Sequence, residues 1–187
     1  MDLSVIIGTC DSYSELWETF QICFNKYWKH DTENIFITEE KVVKNYTETN
    51  FKTFKAGKNQ WGKRIIEGVN SCKNEYILFL LEDYFLNYHY SSEDINNWIF
   101  DCKKHKINRL QISPSGHQIY KNVENMKYHQ ISEKSDYLIS LQPSIWSKEF
   151  LLRTLIPYYS PWDFEILGSN LLKYHESNIS IDKSIRS

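Results

Sequence analysis

The sequence predicts an α/β fold, a sandwich in which helices cover both faces of a mostly parallel sheet. Short apolar runs that end in polar turns, typical of buried strands, alternate with segments whose apolar residues recur every three or four positions, typical of helices. The length of 187 residues suits one sizeable hydrophobic core. We therefore expect residues 1–187 to form a single domain.

Apolar runs give the predicted strands. Residues 76–81 are six consecutive apolar side chains, so this strand is expected to be the most buried of the sheet. The other predicted strands are residues 3–7, 35–37, 51–54, 109–112 and 137–141. Residues 113–133 have no regular pattern and are compatible with a hairpin.

Helical periodicity gives five predicted helices. They span about residues 16–28, 60–72, 91–102, 147–155 and 162–172. Ser91 and Ser147 have the position and chemistry of helix N-caps, and Pro161 sets the start of the last helix. The strands and helices alternate, which favours parallel pairing of the strands.

Composition and motifs exclude several classes of protein. The 22 basic residues are balanced by 24 acidic ones, which disfavours a dedicated nucleic-acid binder. No apolar run approaches the ~20 residues of a membrane-spanning helix, and the N-terminus has no basic signal-peptide region, so we expect a cytoplasmic protein. The chain has neither the G-x-G-x-x-G motif of dinucleotide binding nor the G-x-x-x-x-G-K-[ST] motif of P-loop NTPases.

Ligands bind open α/β sheets at the carboxyl ends of the strands, which directs attention to residues 9–14, 82–84 and 142–146. After the first strand, Thr9 and Asp11 are placed to accept hydrogen bonds from a base or a ribose hydroxyl. The alternative for Asp11 is a helix N-cap.

Glu82 and Asp83 follow the most apolar strand directly. Paired carboxylates at a strand end suit a divalent cation bridged to a diphosphate, because such cations prefer oxygen ligands. The alternative is a solvated turn, since Asp is common at strand ends.

The second predicted helix opens with Trp61, Lys63 and Arg64. A basic side chain here has access to diphosphate oxygens, aided by the positive end of the helix dipole. The alternatives are two solvated bases and a tryptophan that packs in the core.

A last group of candidates surrounds the final helix. Asp163 and Glu165 lie in its first turns, where the helix dipole favours carboxylates, and such a carboxylate can serve as a general base. Gln142, Trp146 and Trp162 offer polar groups and flat apolar faces to a sugar ring. The helix dipole alone is an equally good structural reason for the acids.

These segments together resemble bacterial glycosyltransferases of the GT-A fold, the family-2-like group that builds capsule and lipopolysaccharide sugars. The resemblance rests on the first strand with Asp11, the Trp-Gly-Lys-Arg helix start at Trp61, the Leu-Leu-Glu-Asp-Tyr segment, residues 141–146 and residues 161–165. It implies a GT-A-like, Rossmann-like sandwich. The family's D-x-D metal motif is replaced here by Glu82-Asp83, and Asp83 matches best as the metal or donor ligand.

The resemblance also implies roles. Thr9, Asp11, Trp61, Lys63, Arg64, Glu82 and Asp83 would bind a nucleotide-sugar donor, a UDP-sugar in preference, with Mn²⁺ or Mg²⁺ on Asp83 and Glu82. Glu165 matches the catalytic base of inverting members, with Asp163 as second choice. Gln142, Trp146 and Trp162 would contact a saccharide or lipid-linked saccharide acceptor at the inner face of the membrane.

Other functions and contacts remain open at this point. One alternative is a non-catalytic member that binds a nucleotide sugar or a partner, and a weaker one is a nucleotidyltransferase, whose Gly-rich basic N-terminal loop this chain lacks. The short chain would leave acceptor recognition to residues 113–133 and 158–164. Aromatic residues reach 16%, enough to cover an interface between copies of the chain.

Overall fold

A computed structural model describes residues 2–112, 118–122, 128–174 and 184–186. The strands are β1 Leu3–Gly8, β2 Glu33–Thr38, β3 Phe51–Lys55, β4 Tyr76–Leu81, β5 Arg109–Gln111, β6 Tyr120–Asn122, β7 His129–Ile131, β8 Ser144–Ser147 and β9 Ser184–Arg186. The α-helices are α1 Trp17–Tyr27, α2 Trp61–Ser71, α3 Ser92–His105, α4 Lys148–Thr154 and α5 Pro161–Tyr174. A 3₁₀ segment, Asp11–Leu16, precedes α1.

The described strands form one sheet in the order β3-β2-β1-β4-β8-β5-β9-β7-β6. In its central six strands, β3, β2, β1, β4 and β5 point the same way, and β8 runs against β4 and β5. The predicted α/β fold with a mostly parallel central sheet is confirmed, and β8 is the exception within it.

Strand side chains alternate between two cores, one on each face of the sheet. Leu3, Val5 and Ile7 of β1 join a core covered by α1 and α3, whereas Ile6 joins a core covered by α2, α4 and α5. Strand β4 alternates in the same way and is buried along almost its whole length. The apolar runs of the sequence are therefore explained by helices on both faces.

The helix boundaries follow the predicted capping residues. The Ser91 hydroxyl accepts a hydrogen bond from the Asp94 amide, and the Asp94 carboxylate accepts one from the Ser91 amide, which makes a capping box. Ser147 caps α4 through the Phe150 amide. No helix in the described part of the chain is long and apolar enough to cross a bilayer.

The predicted strand at residues 137–141 is wrong, and β8 lies a few residues later. Leu138, Ile139 and Leu141 are buried, which explains the apolar run. Their segment makes no ladder because its backbone groups bind side chains, among them Arg109 on the carbonyl of Leu138 and Ser169 on the amide of Ile139. Apolar burial thus mimicked a strand here.

The hairpin expected within residues 113–133 is confirmed where the chain is described. Strands β6 and β7 pair antiparallel, with Tyr120 opposite Ile131. Residues 113–117 and 123–127 of this segment lie outside the described residues.

The sheet brings three strand ends to one edge. In the parallel pair of β1 and β4, Gly8 lies opposite Leu81, so the residues that follow each strand are neighbours. Because β8 runs the other way, it begins at this edge, where Ser144 pairs with Phe79 and Gln111. Residues 141–143 therefore reach the same edge as the ends of β1 and β4.

Candidate functional site

A cleft of about 630 Å³ opens at this edge of the sheet. Three groups of residues line it: those after β1, those after β4 with residues 141 and 142, and the starts of α2 and α5. They are Gly8, Thr9, Cys10, Ser12, Tyr13, Leu16, Trp61, Arg64, Leu81, Glu82, Asp83, Tyr84, Leu141, Gln142, Pro161, Trp162 and Glu165. The cleft thus lies at the edge where open α/β sheets bind their ligands, beyond the carboxyl ends of parallel strands.

Thr9 lies in the floor of the cleft and is held by its neighbours. Its hydroxyl accepts a hydrogen bond from the Trp17 indole at 3.0 Å, and its carbonyl accepts one from Arg64 at 3.4 Å. Thr9 lines the cleft as predicted, but its side chain is buried and is already bonded to Trp17.

Asp11, predicted to be a nucleotide ligand, does not line the cleft in the described structure. Its two carboxylate oxygens accept hydrogen bonds from the amides of Glu39, Glu40 and Lys41 at 3.0 to 3.2 Å. The alternative N-cap role is not observed either, since the 3₁₀ segment has no side-chain cap. Asp11 instead fixes the turn that follows β2.

Arg64 is the basic side chain that the described structure brings to the cleft. Its guanidinium pairs with Glu39, whose other oxygen accepts the Asp11 amide at 3.0 Å. Arg64 is only 6% exposed, and its buried Nε has no hydrogen-bond partner among the described residues. The guanidinium nevertheless lines the cleft, so its positive charge lies close to any anion that binds there.

The start of α2 differs from its prediction as an anion site. The amides of Gly62 and Lys63 donate to the carbonyls of Tyr159 and Pro157 at 2.9 and 2.8 Å, so they are not available to a phosphate. The Lys63 side chain lies outside the cleft and faces Glu67. Trp61 is a cleft wall that is also packed in the core against Phe79 and Phe164.

Glu82 and Asp83 share the cleft but differ in exposure. Glu82 is 7% exposed, and burial raises the pKa of its carboxyl, with the neighbouring charge of Asp83 adding to the effect. Asp83 is exposed to solvent. Among the described residues, no three His, Cys, Asp or Glu side chains are grouped to hold a metal. Within the described part of the chain, the end of β4 thus offers a cation the two carboxylates of Glu82 and Asp83, and a substrate would have to supply further ligands.

Tyr84 connects the two acidic sides of the cleft. Burial raises the pKa of Tyr84 to about 12, and the negative charges of Asp83 and Glu165 both add to the rise. Both carboxylates line the same cleft as this ring. Tyr84 belongs to residues 82–84, the strand end at which the sequence predicts ligand contacts, and it lines the cleft.

Glu165 lines the cleft, and Asp163 does not. One Glu165 oxygen accepts the Leu141 amide at 2.6 Å, and the described residues offer no hydrogen-bond partner to the other. Asp163 instead accepts bonds from the amide and hydroxyl of Ser160, which lowers the pKa of its carboxyl. The structure thus separates the two acids that the sequence could not.

The three predicted acceptor contacts have different positions. Gln142 and Trp162 line the cleft, and Trp162 is 69% exposed at its mouth. Trp146 is fully buried in β8 and stacks on Phe150, so its prediction as an acceptor contact is corrected to a core role. Tyr13, half-exposed on the 3₁₀ segment, is a cleft aromatic that the sequence analysis missed.

Solved structures share this arrangement of strands and helices. A cytidylyltransferase from Leptospira borgpetersenii matches 96% of this chain and 74% of its own, at a TM-score of 0.55 and 10% identity. TarS of S. aureus matches all of this chain at a TM-score of 0.60 and 16% identity. Its 1–349 form in complex with UDP matches at 0.57 and 15%. The fold of this chain is thus similar to that of a cytidylyltransferase and to that of TarS.

These likenesses establish the fold, and the chain spans only part of some relatives. It covers 36% of TarS and 60% of the 1–349 form. No protein-family profile matches the chain. Among curated sequences, the stress response protein ish1 of Schizosaccharomyces pombe is 34% identical over 87 residues, which are 46% of this chain and 12% of that protein.

Proposed function

We propose that the protein is a GT-A-type glycosyltransferase that moves a sugar from a nucleotide-diphosphate donor to a saccharide or lipid-linked saccharide acceptor. The observation that carries the proposal is one cleft lined by Arg64, Asp83 and Glu165 at the carboxyl edge of the sheet. A basic group for a diphosphate, an acid beside it and a second acid with one free oxygen are the groups that sugar transfer needs.

The donor we propose is a UDP-sugar. TarS, whose fold is similar, was solved with UDP and with UDP-GlcNAc. Arg64 would face the diphosphate, where its buried and incompletely bonded guanidinium stabilises the negative charge that develops on the leaving group. A cytoplasmic role in building surface polysaccharide, at the inner face of the membrane, belongs to the same proposal.

The reaction is a single displacement at the anomeric carbon. Glu165 takes the proton of the acceptor hydroxyl through its free oxygen, while its other oxygen stays bound to the Leu141 amide. The hydroxyl oxygen forms the new bond to the anomeric carbon. The bond from that carbon to the diphosphate oxygen breaks, and the electron pair leaves with UDP. Configuration at the carbon inverts.

A divalent cation, Mn²⁺ or Mg²⁺, would supply charge stabilisation at the diphosphate when bound. Asp83 would hold it, because this carboxylate is exposed to the cleft. Glu82 is a weaker ligand, since burial favours its protonated form. Since no group of three metal-ligating side chains is found among the described residues, the cation would bind together with the donor.

The proposal is tested by measuring UDP binding and the release of UDP from UDP-GlcNAc with Mn²⁺, using water as the acceptor. We expect Glu165→Gln to lose turnover by about 10²- to 10⁴-fold, the contribution of a general base, while it still binds UDP. Asp83→Asn is expected to weaken UDP binding in the presence of Mn²⁺. Glu67→Gln, which changes a partly exposed acid on α2 outside the cleft, is the matched control and keeps turnover.

Full turnover in both Glu165→Gln and Asp83→Asn would contradict the assigned roles. Tight UDP binding by the wild type without any turnover would favour the non-catalytic alternative. The likeness to a cytidylyltransferase supports a second candidate, a nucleotidyltransferase. Release of pyrophosphate from CTP would identify it, but the described residues after β1 that line the cleft include no basic side chain.

A further inference from the structure

Arg109 is a fully buried cation behind the cleft wall, and it has no part in the reaction described above. It opens β5, has no exposed surface and stacks on Trp146 with 4.9 Å from the guanidinium carbon to the ring centre. Burial lowers its pKa to about 9, whereas the charge of Glu165 favours the charged form. Burial of a charge carries a desolvation penalty, which the hydrogen bonds of the guanidinium must offset.

The Arg109 guanidinium binds mainly to one short segment, residues 138–141. It donates to the Leu138 carbonyl at 3.0 Å, to the Ser140 carbonyl at 3.0 Å and to the Ser140 hydroxyl at 2.8 Å. Gln111 and Ser144 accept its remaining bonds at 2.6 and 3.2 Å. All five acceptors are neutral, so the guanidinium makes no ion pair with them. Its hydrogen bonds instead fix the position of the segment's backbone.

The opposite side of the segment binds α5. The Ile139 amide donates to the Ser169 hydroxyl at 2.9 Å, and the Leu141 amide donates to Glu165 at 2.6 Å. Carbonyls of residues 138 and 140 thus bind Arg109, while amides of residues 139 and 141 bind side chains one helical turn apart on α5. The segment is clamped between a fixed cation and the helix that carries Glu165.

We propose that Arg109 is a positioning residue for Glu165, because it fixes the segment whose Leu141 amide holds one carboxylate oxygen and leaves the other to the substrate. This inference rests on the proposed function for the role of Glu165 as base. An arginine is suited to the task, because its planar fork reaches two carbonyls and a hydroxyl at once, which a lysine ammonium does not reproduce. Misplacement of a base by about 1 Å costs about 10²-fold in rate.

The first arm of the test is amide hydrogen exchange in the ¹⁵N-labelled full chain without ligand. We expect Arg109→Lys to speed exchange at Ile139 and Leu141 by roughly tenfold or more, with β1 and β4 amides changed far less. Arg109→Gln is the second variant if the lysine variant does not fold. Gln21→Ala is the matched control, because Gln21 is a buried polar residue on the other face of the sheet that binds Lys44 and Tyr46.

The second arm measures two quantities, the kcat for UDP release from UDP-GlcNAc and the Kd for UDP. We expect Arg109→Lys to lower kcat about 10²-fold with Kd nearly unchanged, whereas Gln21→Ala keeps kcat. Unchanged exchange at Leu141, or a uniform rise across the sheet as in Gln21→Ala, would overturn the inference. A third outcome is local loss of protection in Arg109→Lys together with normal turnover in Glu165→Gln. That outcome would refute the proposed function but would leave the contact of Arg109 with residues 138–141 supported.

Discussion

Two acids on the first turns of α5 differ in what their carboxylates already bind. The Asp163 carboxylate accepts hydrogen bonds from the amide and the hydroxyl of Ser160. The Asp163 amide in turn donates to the Ser160 hydroxyl at 3.1 Å. This reciprocal pair is the chemistry of a capping box, which satisfies amides at a helix start. Glu165 keeps one oxygen for the cleft. At the scale of the residue, position on the helix is less informative than the bonds already made.

We therefore expect Asp163→Ala to behave as a stability variant. Loss of the box should lower the Tm by a few degrees, because the Ser160 amide loses its acceptor, while turnover per folded molecule stays near that of the wild type. Thermal unfolding and UDP release from UDP-GlcNAc, measured at the same low temperature, check this. Loss of turnover without loss of Tm would return Asp163 to the list of candidate bases.

The residues that were correctly predicted in the cleft share a simple property. Thr9, Asp83 and Glu165 follow strand ends or open a helix, and strand ends and helix starts are readable from periodicity and caps. Asp11 and Lys63 lie outside the cleft, which the sequence did not indicate because the partner of a surface charge depends on loop geometry. No local pattern announces that residues 39–41 would fold back onto Asp11.

At the scale of elements, the start of α2 is packed against the linker between α4 and α5. A Cβ on Gly62 would lie 2.1 Å from the Ile156 carbonyl oxygen, and that neighbour is backbone, which cannot turn away. The same contact lets the Gly62 amide donate to the Tyr159 carbonyl. Glycine at this position thus fixes the linker that leads into Pro161 and Glu165.

Gly62→Ala is expected to destabilise the fold by about 1–3 kcal/mol through overpacking, despite the better helix propensity of alanine. The control is Gly168→Ala in α5, whose Cβ would meet Ile139 at an ordinary 3.5 Å. That variant should gain about 0.5–1 kcal/mol, because alanine is the better helix former. Urea unfolding measures both, and equal effects of the two substitutions would refute the close contact at Gly62.

Elements were predictable where one local signal decided them. The caps at Ser91 and Ser147 and the six-residue apolar run of β4 gave correct boundaries within a few residues. The sequence did not predict strand β8, because the more apolar residues 137–141 just before it were predicted to form the strand instead. Burial of that run depends on Arg109 and on α5, partners that are distant in sequence and invisible to a local pattern.

At the scale of the whole molecule, the cleft is a product of topology. Its walls come from the ends of β1 and β4, the residues before β8, and the starts of α2 and α5, which are scattered from residue 8 to residue 165. The layered fold and the edge of the sheet that carries the cleft followed from the order of the elements. The antiparallel position of β8 between β4 and β5 could not be predicted from that order. It is nevertheless the feature that brings Gln142 to the cleft edge of the sheet.

The proposed nucleotide site is assembled from distant segments of the folded chain, so we expect nucleotide binding to appear as thermal stabilisation. A ligand at about 100 times its Kd stabilises a fold by about 2.7 kcal/mol, which for a chain of this size is a Tm rise of roughly 5–11 °C. We expect that rise with UDP and Mn²⁺, a smaller one with uridine, which lacks the diphosphate, and little with UDP in Arg64→Met. The proposed diphosphate contact is contradicted if Arg64→Met shifts as the wild type does, and a larger shift with CTP than with UDP would favour nucleotidyl transfer over glycosyl transfer.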